Sequence, residues 1–359
     1  MSKHVQSSVA HKDEISHSTS AFKRAQLRYR RRGEDPNRID DWNEFLDFSN
    51  SEGDTRITKA EVTNDTGNES EAYQGPLFGI KDVPGFLYAP QALSSELQSR
   101  IAYLSVTEFC ETPHNTNIEN VPIKPNEQAN LDQTMWDLYK IDCGQQSKKP
   151  TTQKSKQYRS FQKLAWATMG WHYDWTARAY HDDAQSPMPS ILADLAVPFA
   201  KASLLLEKAE FTHFLPSAAI VNYYNLKSTM GGHCDDLEFA LDKPVVSFSV
   251  GLSGVFLLGG GTSSQDGPVL PILVRSGDVM ILGGAARLCY HGMARVLPHS
   301  EISPQDLSSV PAEDRVYLES FMSQHRININ VRQVLPDGIS TIAEAKERAR
   351  ATQSQSCGV

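Results

Sequence analysis

At 359 residues, with 40% hydrophobic and 22% charged residues, the chain has the composition of a globular protein with a substantial core. Its net charge of −8 excludes a globally basic surface, so any contact with phosphate must use local basic patches. No apolar run approaches the roughly 20 residues that span a bilayer, and the five scattered cysteines form no CxxC pair, which excludes a zinc ribbon and fits a reducing intracellular compartment.

Residues 1–21 are polar and without periodicity, and are expected to be disordered. A basic, helical extension follows over 22–48. Six of the ten residues from Lys23 to Arg32 are basic, which suits a nuclear-import signal, a phosphate-contacting arm or simply a solvated helix face. Residues 49–75 are acidic and rich in Gly, Ser and Asn, and read as a flexible linker. Residues 79–215 read as a helical region, with aromatics further along it that bear on nucleotide recognition. It opens with a short strand within Gly79–Pro90, and Leu97, Ile101 and Leu104 give helical spacing from about Ser94 to Val106. Trp136 lies in an apolar stretch beyond an irregular segment. Between Leu164 and Trp175 fall three of the five tryptophans, a density that suits either core packing or a lid that stacks on a flat base. Residues 190–209 read as a helical pair broken at Pro198.

From residue 216 to 336 the pattern changes to short strands between glycine or polar turns, as in a sandwich or barrel-like jelly roll. The expected fold is mostly β with flanking helices around a double-stranded β-helix (jelly-roll) core. Within it, Asn222 and Tyr224 alternate with Val221 and Tyr223 on a strand that ends at the Gly231-Gly232 turn. The turn delivers His233 and Asp235 to one side of an extended chain. One more histidine would complete two imidazoles and a carboxylate on one face of a metal, the triad of non-haem Fe(II) oxygenases. His291, after the DVMIL strand, is admissible; His213, His299 and His325 compete by residue type alone. The final strand places Arg326, Asn328, Asn330 and Arg332 on one face, with Ile327, Ile329 and Val331 on the other. Arginines so spaced can fork onto the carboxylates of a small dicarboxylate. The tail, 337–359, reads as a charged, peripheral helix.

HCD at 233–235, His291 and RININVR at 326–332 resemble the HxD…H…RxNxxxR signature of the AlkB dioxygenases, and NYY at 222–224 resembles that family's Asn-x-Tyr element. WATMGWHYDW, KPVVSFSVGLSGVFLLGG and SGDVMILGGAARLCYHGMARVLP are similar to the eukaryotic AlkB homologue one subfamily. The resemblance implies Fe(II) on His233, Asp235 and His291, with dioxygen as oxidant. It implies 2-oxoglutarate on Asn222, Tyr223, Tyr224, Arg326, Asn328 and Arg332. Trp136, Trp171, His172 and Tyr173 are expected on the substrate side, with Glu238 as base selector or support for the metal loop. Asn330 departs from the Thr that the family often has there, and the insertion at 298–314 has no counterpart in the signature. The implied activity is oxidative demethylation of bases in tRNA or in single-stranded or unpaired DNA, in the nucleus or cytoplasm, with the mitochondrion left open. A histone lysine is the alternative substrate, and a non-catalytic binding module the alternative class.

Overall fold

The computed structural model describes residues 19–30, 42–62, 72–118, 133–145, 161–210, 213–259, 264–298 and 306–356. The stretch expected to be disordered therefore lies almost wholly outside the described residues, as do residues 299–305 of the 298–314 insertion.

In chain order the principal elements are α1 (Ala21–Tyr29), β1 (Ile57–Ala60), β2 (Leu77–Ile80), β3 (Val83–Ala89), α2 (Ser95–Thr107), β4 (Asn115–Thr116) and α3 (Met135–Gln145). Then come β5 (Trp166–Asp174), β6 (Ala179–Gln185), α4 (Ser190–Leu206), β7 (Ala218–Asn225), β8 (Met230–His233), β9 (Val245–Gly251) and β10 (Gly254–Gly259). The chain continues through β11 (Val269–Val274), β12 (Val279–Leu282), β13 (His291–Val296), α5 (Arg315–Met322), β14 (His325–Arg332) and α6 (Ile342–Ser356). The β pairs between these strands are antiparallel. No helix among the described residues is long and apolar enough to cross a membrane.

Two sheets face each other. The larger runs β1-β2-β3-β12-β9-β14-β7-β5-β4, with β6 hydrogen-bonded to β5; the smaller runs β11-β10-β13-β8. Four strands of each make the jelly roll. The period of two explains the layering. On β14, Ile327, Ile329 and Val331 enter the core shared with α2, α3, α4 and α5, while the even-numbered residues face the opposite sheet. On β9, Val246, Phe248 and Val250 take the helix side and Val245 the sheet–sheet side. Between the sheets Tyr224, Leu258, Ile272, Met280 and Met293 form a second core. A third, on the outer face of the smaller sheet, joins Phe22 of α1 and Phe45 to Val255, Leu257 and Leu273.

Three expectations are corrected here. The stretch read as a linker contains β1, whose Ile57–Ala60 pairs with Leu77–Ile80 at the edge of the larger sheet. The expected helical pair is the single helix α4, which passes through Pro198. Its buried Leu192, Ala196, Phe199 and Ala200 hold it against the sheet, and the Pro198 carbonyl accepts the Tyr73 N–H at 2.9 Å. The 79–215 region is not separate from the jelly roll either, since β3 pairs with β12 and β5 with β7.

Candidate metal centre and the cavity before it

His233 ends β8 and His291 begins β13, and the two are directly opposite in the antiparallel ladder. Their ring centroids are 4.4 Å apart. Asp235 follows β8 by two residues, its Oδ1 3.6 Å from His233 Nε2. One ligand atom from each of the three lies within 4.8 Å of the others. Each imidazole is pre-oriented: His233 Nδ1 lies 3.0 Å from the Gly231 carbonyl and His291 Nδ1 2.9 Å from the Cys289 carbonyl. A carbonyl only accepts, so both Nδ1 atoms carry the proton and both Nε2 lone pairs remain for an ion. Burial first, and the neighbouring His233 second, push His291 down to about 4, which keeps the ring neutral and ligand-ready. Burial pushes the Asp235 carboxyl up, but Arg332, His291 and His233 outweigh it and hold the group well below the usual carboxylate range.

A buried ion-pair network supports Asp235. Arg332 Nη2 lies 3.2 Å from Asp235 Oδ2, and Arg332 Nη1 donates to Glu238 Oε1 at 2.9 Å. Arg287 donates to Glu238 Oε2 at 2.8 Å and to the Asp235 backbone carbonyl. The Tyr180 hydroxyl donates to Glu238 Oε1 at 2.8 Å. Four buried groups thus lock the loop after β8 to β14 and to the turn before β13. Glu238 lines the cavity, and both its oxygens accept hydrogen bonds within this network.

Behind the triad, a small inner pocket of about 30 Å³ opens between the sheets, lined by Tyr224, Ser247, Met280, His291, Asn328 and Asn330 among others. Asn328 is fixed by its amide, which donates to Ser247 Oγ at 2.8 Å. Arg326 pairs in register with Tyr224 and is fully buried. Its Nη2 donates to Ser249 Oγ at 2.7 Å and its Nη1 to the Leu252 carbonyl at 3.3 Å, while its Nε has no partner. No carboxylate bridges it among the described residues. A buried cation with no carboxylate in direct contact is costly, and burial lowers the Arg326 pKa against the opposing pull of Tyr224, Tyr88 and Asp278. A ligand carboxylate would supply the missing charge. Arg332, by contrast, is paired with Asp235 and Glu238, and only its Nε lacks a partner. The donor chemistry therefore suits a carboxylate at Arg326, while the inner pocket, at about 30 Å³, has the volume of about one water and Arg326 stands behind its lining.

In front of the triad lies a cavity of about 600 Å³ with His233, Asp235 and Arg332 at its base. Asn222 and Ile220 of β7 line it, as do Tyr173 and Trp175 at the tip of the β5–β6 hairpin. Asn330 borders both spaces. Asp174 Oδ1 shapes the hairpin turn by accepting the Thr176 and Ala177 N–H groups at 2.7 and 2.9 Å. The Trp175 ring stands edge-on to Tyr173 at 4.6 Å and 5.6 Å from Trp166, yet the residue is 47% exposed. A large aromatic held by two others but left open to solvent offers a stacking face.

The structure brings His233, Asp235, His291, Asn222, Tyr224, Arg326, Asn328, Arg332, Tyr173 and Glu238 to one region, and sends four expected site residues elsewhere. Tyr223 is on the opposite face of β7, its hydroxyl donating to the Ser105 carbonyl in the helix-side core. Trp136 is buried on α3, stacked on Tyr139 at 5.2 Å in the same core. Gly170, with φ +67°, interrupts the alternation of β5. Beyond it Trp171 packs under the hairpin with Tyr180 and Leu335, and His172 is buried with its Nδ1 2.9 Å from Thr168 Oγ1. Arg287, Tyr180 and Trp175 are the residues that sequence reasoning did not single out. Only Trp175 carried a signal, as the last aromatic of a dense run.

Three ligands gathered on one side leave the far side of an ion open, which a closed four-ligand structural zinc site would not do. With an uncompensated arginine behind, the arrangement is that of a non-haem iron dioxygenase fed by a 2-oxo acid. Residues 118–332 match the model of the 2OG-Fe(II) oxygenase superfamily. The chain is 31% identical over 344 residues to the DNA N(6)-methyladenine demethylase ALKBH1A of Arabidopsis thaliana, covering 88% of this chain and 96% of that one. It is 30% identical to the nucleic acid dioxygenase ALKBH1 of Homo sapiens, over 79% of this chain and 75% of that one. It is 31% identical to the tRNA demethylase abh1 of Schizosaccharomyces pombe, over 72% of this chain and 82% of that one. The protein belongs to the AlkB family of Fe(II)- and 2-oxoglutarate-dependent dioxygenases. It is an oxidoreductase that uses Fe(II), 2-oxoglutarate and dioxygen.

Proposed function

We propose that this protein removes N-methyl groups from bases of single-stranded or unpaired nucleic acid, with tRNA and DNA as the candidate carriers. The observation that carries the reading is the cavity of about 600 Å³ that leads from solvent past Tyr173 and Trp175 to the triad. The triad lies at the base of this cavity, and a base stacked in a duplex could not bring its methyl carbon there, so the target must be unpaired or flipped. Relatives over most of the chain are named as demethylases of DNA N(6)-methyladenine and of tRNA, which supports the same substrate class.

His233, Asp235 and His291 would hold Fe(II). Arg326, Asn328, Tyr224 and Arg332 would hold 2-oxoglutarate, with Asn222 on the substrate side of the same strand pair. The chemistry supplied there is oxidation by dioxygen: 2-oxoglutarate is decarboxylated to succinate, and the methyl group is hydroxylated and leaves as formaldehyde. The protein's own part is placement. Arg332 keeps Asp235 ionised, the two backbone carbonyls present both Nε2 atoms, and Arg326 anchors the far carboxylate. Trp175 and Tyr173 stack on the base, a contact worth about 1–3 kcal/mol.

Formaldehyde release from methylated tRNA, methylated single-stranded DNA and a methylated histone peptide tests the reading. Release from at least one nucleic acid and none from the peptide is expected; release confined to the peptide would refute it.

A further inference from the structure

We propose that the N-terminal helix α1 is part of the metal centre: through Gln26 and Phe22 it fixes strand β8 and thereby positions His233. The inference rests on His233 being a metal ligand. The need for such support is visible in β8 itself. It is four residues long and lies at the edge of the smaller sheet. Its only register pairs with β13 are His233 with His291 and Met230 with Met293, with an irregularity between them. A strand held so sparsely frays readily.

Helix α1 supplies what the ladder lacks. Gln26 is buried although it sits in a strongly basic helix. Its Oε1 accepts from Lys23 Nζ at 3.2 Å, which leaves its amide N–H to donate to the Met230 carbonyl at 3.0 Å. Phe22 packs edge-on to Tyr290, the residue before His291, with centroids 4.8 Å apart. Both rings close over Gly232, the residue before His233. A Cβ there would come within 2.2 Å of the Tyr290 ring and 2.6 Å of the Phe22 ring, so only glycine lets the helix dock this closely. The Phe22 N–H also donates to the Gln265 carbonyl at 2.8 Å. Gln265, Gly232 and Tyr290 all line the cavity before the triad. The buried face of α1 is thus a clamp across the two strands that carry the two histidines.

When a ligand set is assembled only part of the time, apparent affinity falls by that fraction. Loosening the clamp should weaken metal binding while sparing turnover at saturating metal. The test is a Mn(II) titration followed by electron paramagnetic resonance, alongside hydrogen exchange of residues 230–234 in the metal-free protein. It compares wild type, Gln26→Met, Phe22→Ala and, as control, Arg24→Ala on the exposed face of the same helix. Gln26→Met keeps the volume and removes the amide, both the donor to Met230 and the acceptor of the exposed Lys23, so it remains informative if Phe22→Ala does not fold. The expected result for Gln26→Met is a Mn(II) dissociation constant raised about fivefold, the loss of one buried hydrogen bond. Faster exchange at 230–234 should accompany it, with Arg24→Ala unchanged in both. Wild-type affinity and exchange in Gln26→Met would overturn the proposal, as would faster exchange with unchanged affinity. Failure of the wild-type protein itself to bind Mn(II) would instead overturn the metal reading on which the proposal stands.

Discussion

Strands β14 and β8 supply the two halves of one centre and are held in opposite ways. β14 lies inside the larger sheet, hydrogen-bonded along its length to β7 and over Arg326–Val331 to β9. Its apolar face is buried under the helices, so the co-substrate residues of its other face are fixed before any ligand arrives. β8 is a short edge strand, and His233 keeps a side-chain exposure of 38%. What fixes the metal half is added from outside the ladder: the Arg332–Glu238–Arg287 network on one side and helix α1 on the other. On the proposed reading the rigid half would recognise a small ion-pairing molecule that is the same in every turnover. The clamped half faces the cavity of about 600 Å³ that, on the proposed reading, would admit the nucleic-acid substrate.

The largest effect should come from breaking the metal half outright. Asp235→Ala removes a ligand and leaves Arg332 without its carboxylate, and is expected to lower formaldehyde release at least about a thousandfold. Turnover within tenfold of wild type would contradict the ligand assignment. Next is the rigid half. Arg326→Met should raise the 2-oxoglutarate concentration needed for half-maximal rate about thirtyfold, the size of a charge-assisted bond. Without co-substrate the same variant should melt no lower than wild type, because the cost of burying the cation without an ion pair offsets its two hydrogen bonds. An unchanged co-substrate requirement would remove Arg326 from the site. Glu238→Gln should cost about 2 kcal/mol in denaturant unfolding by leaving two buried arginines underpaired. Its metal affinity should fall more than its 2-oxoglutarate requirement at saturating metal rises, because Arg326 and Asn328 are untouched. Smallest is Trp175→Ala, expected to raise the KM for nucleic acid about tenfold with little change in succinate production without substrate. An unaltered KM would show that the hairpin tip does not stack on the base.

The same comparison explains what could be read from the sequence. β14 was legible because its polar and apolar faces alternate without interruption, and a chain hydrogen-bonded on both edges has no freedom to depart from that pattern. His233 and Asp235 were legible from local spacing, and His291 followed once the arginine strand had defined the family. Residues whose placement depends on distant contacts were not. Trp136 has the composition of a stacking residue, but α3 turns it into the helix-side core. Tyr223 differs from Tyr224 by one position, and one position on a strand is the other face. Trp171 and His172 follow the Gly170 irregularity, after which a count of alternate residues no longer tells inside from outside. The role of the basic segment around Gln26 depends on docking against a strand some two hundred residues away, and no local pattern announces it.

The most direct test of the account is a stoichiometry. Purified protein with Fe(II), 2-oxoglutarate and a methylated single-stranded oligonucleotide or tRNA should form succinate and formaldehyde in equal amounts beyond the substrate-free background, and neither in Asp235→Ala. Succinate formed without formaldehyde on every methylated nucleic acid offered, while a methylated peptide releases it, would contradict the account.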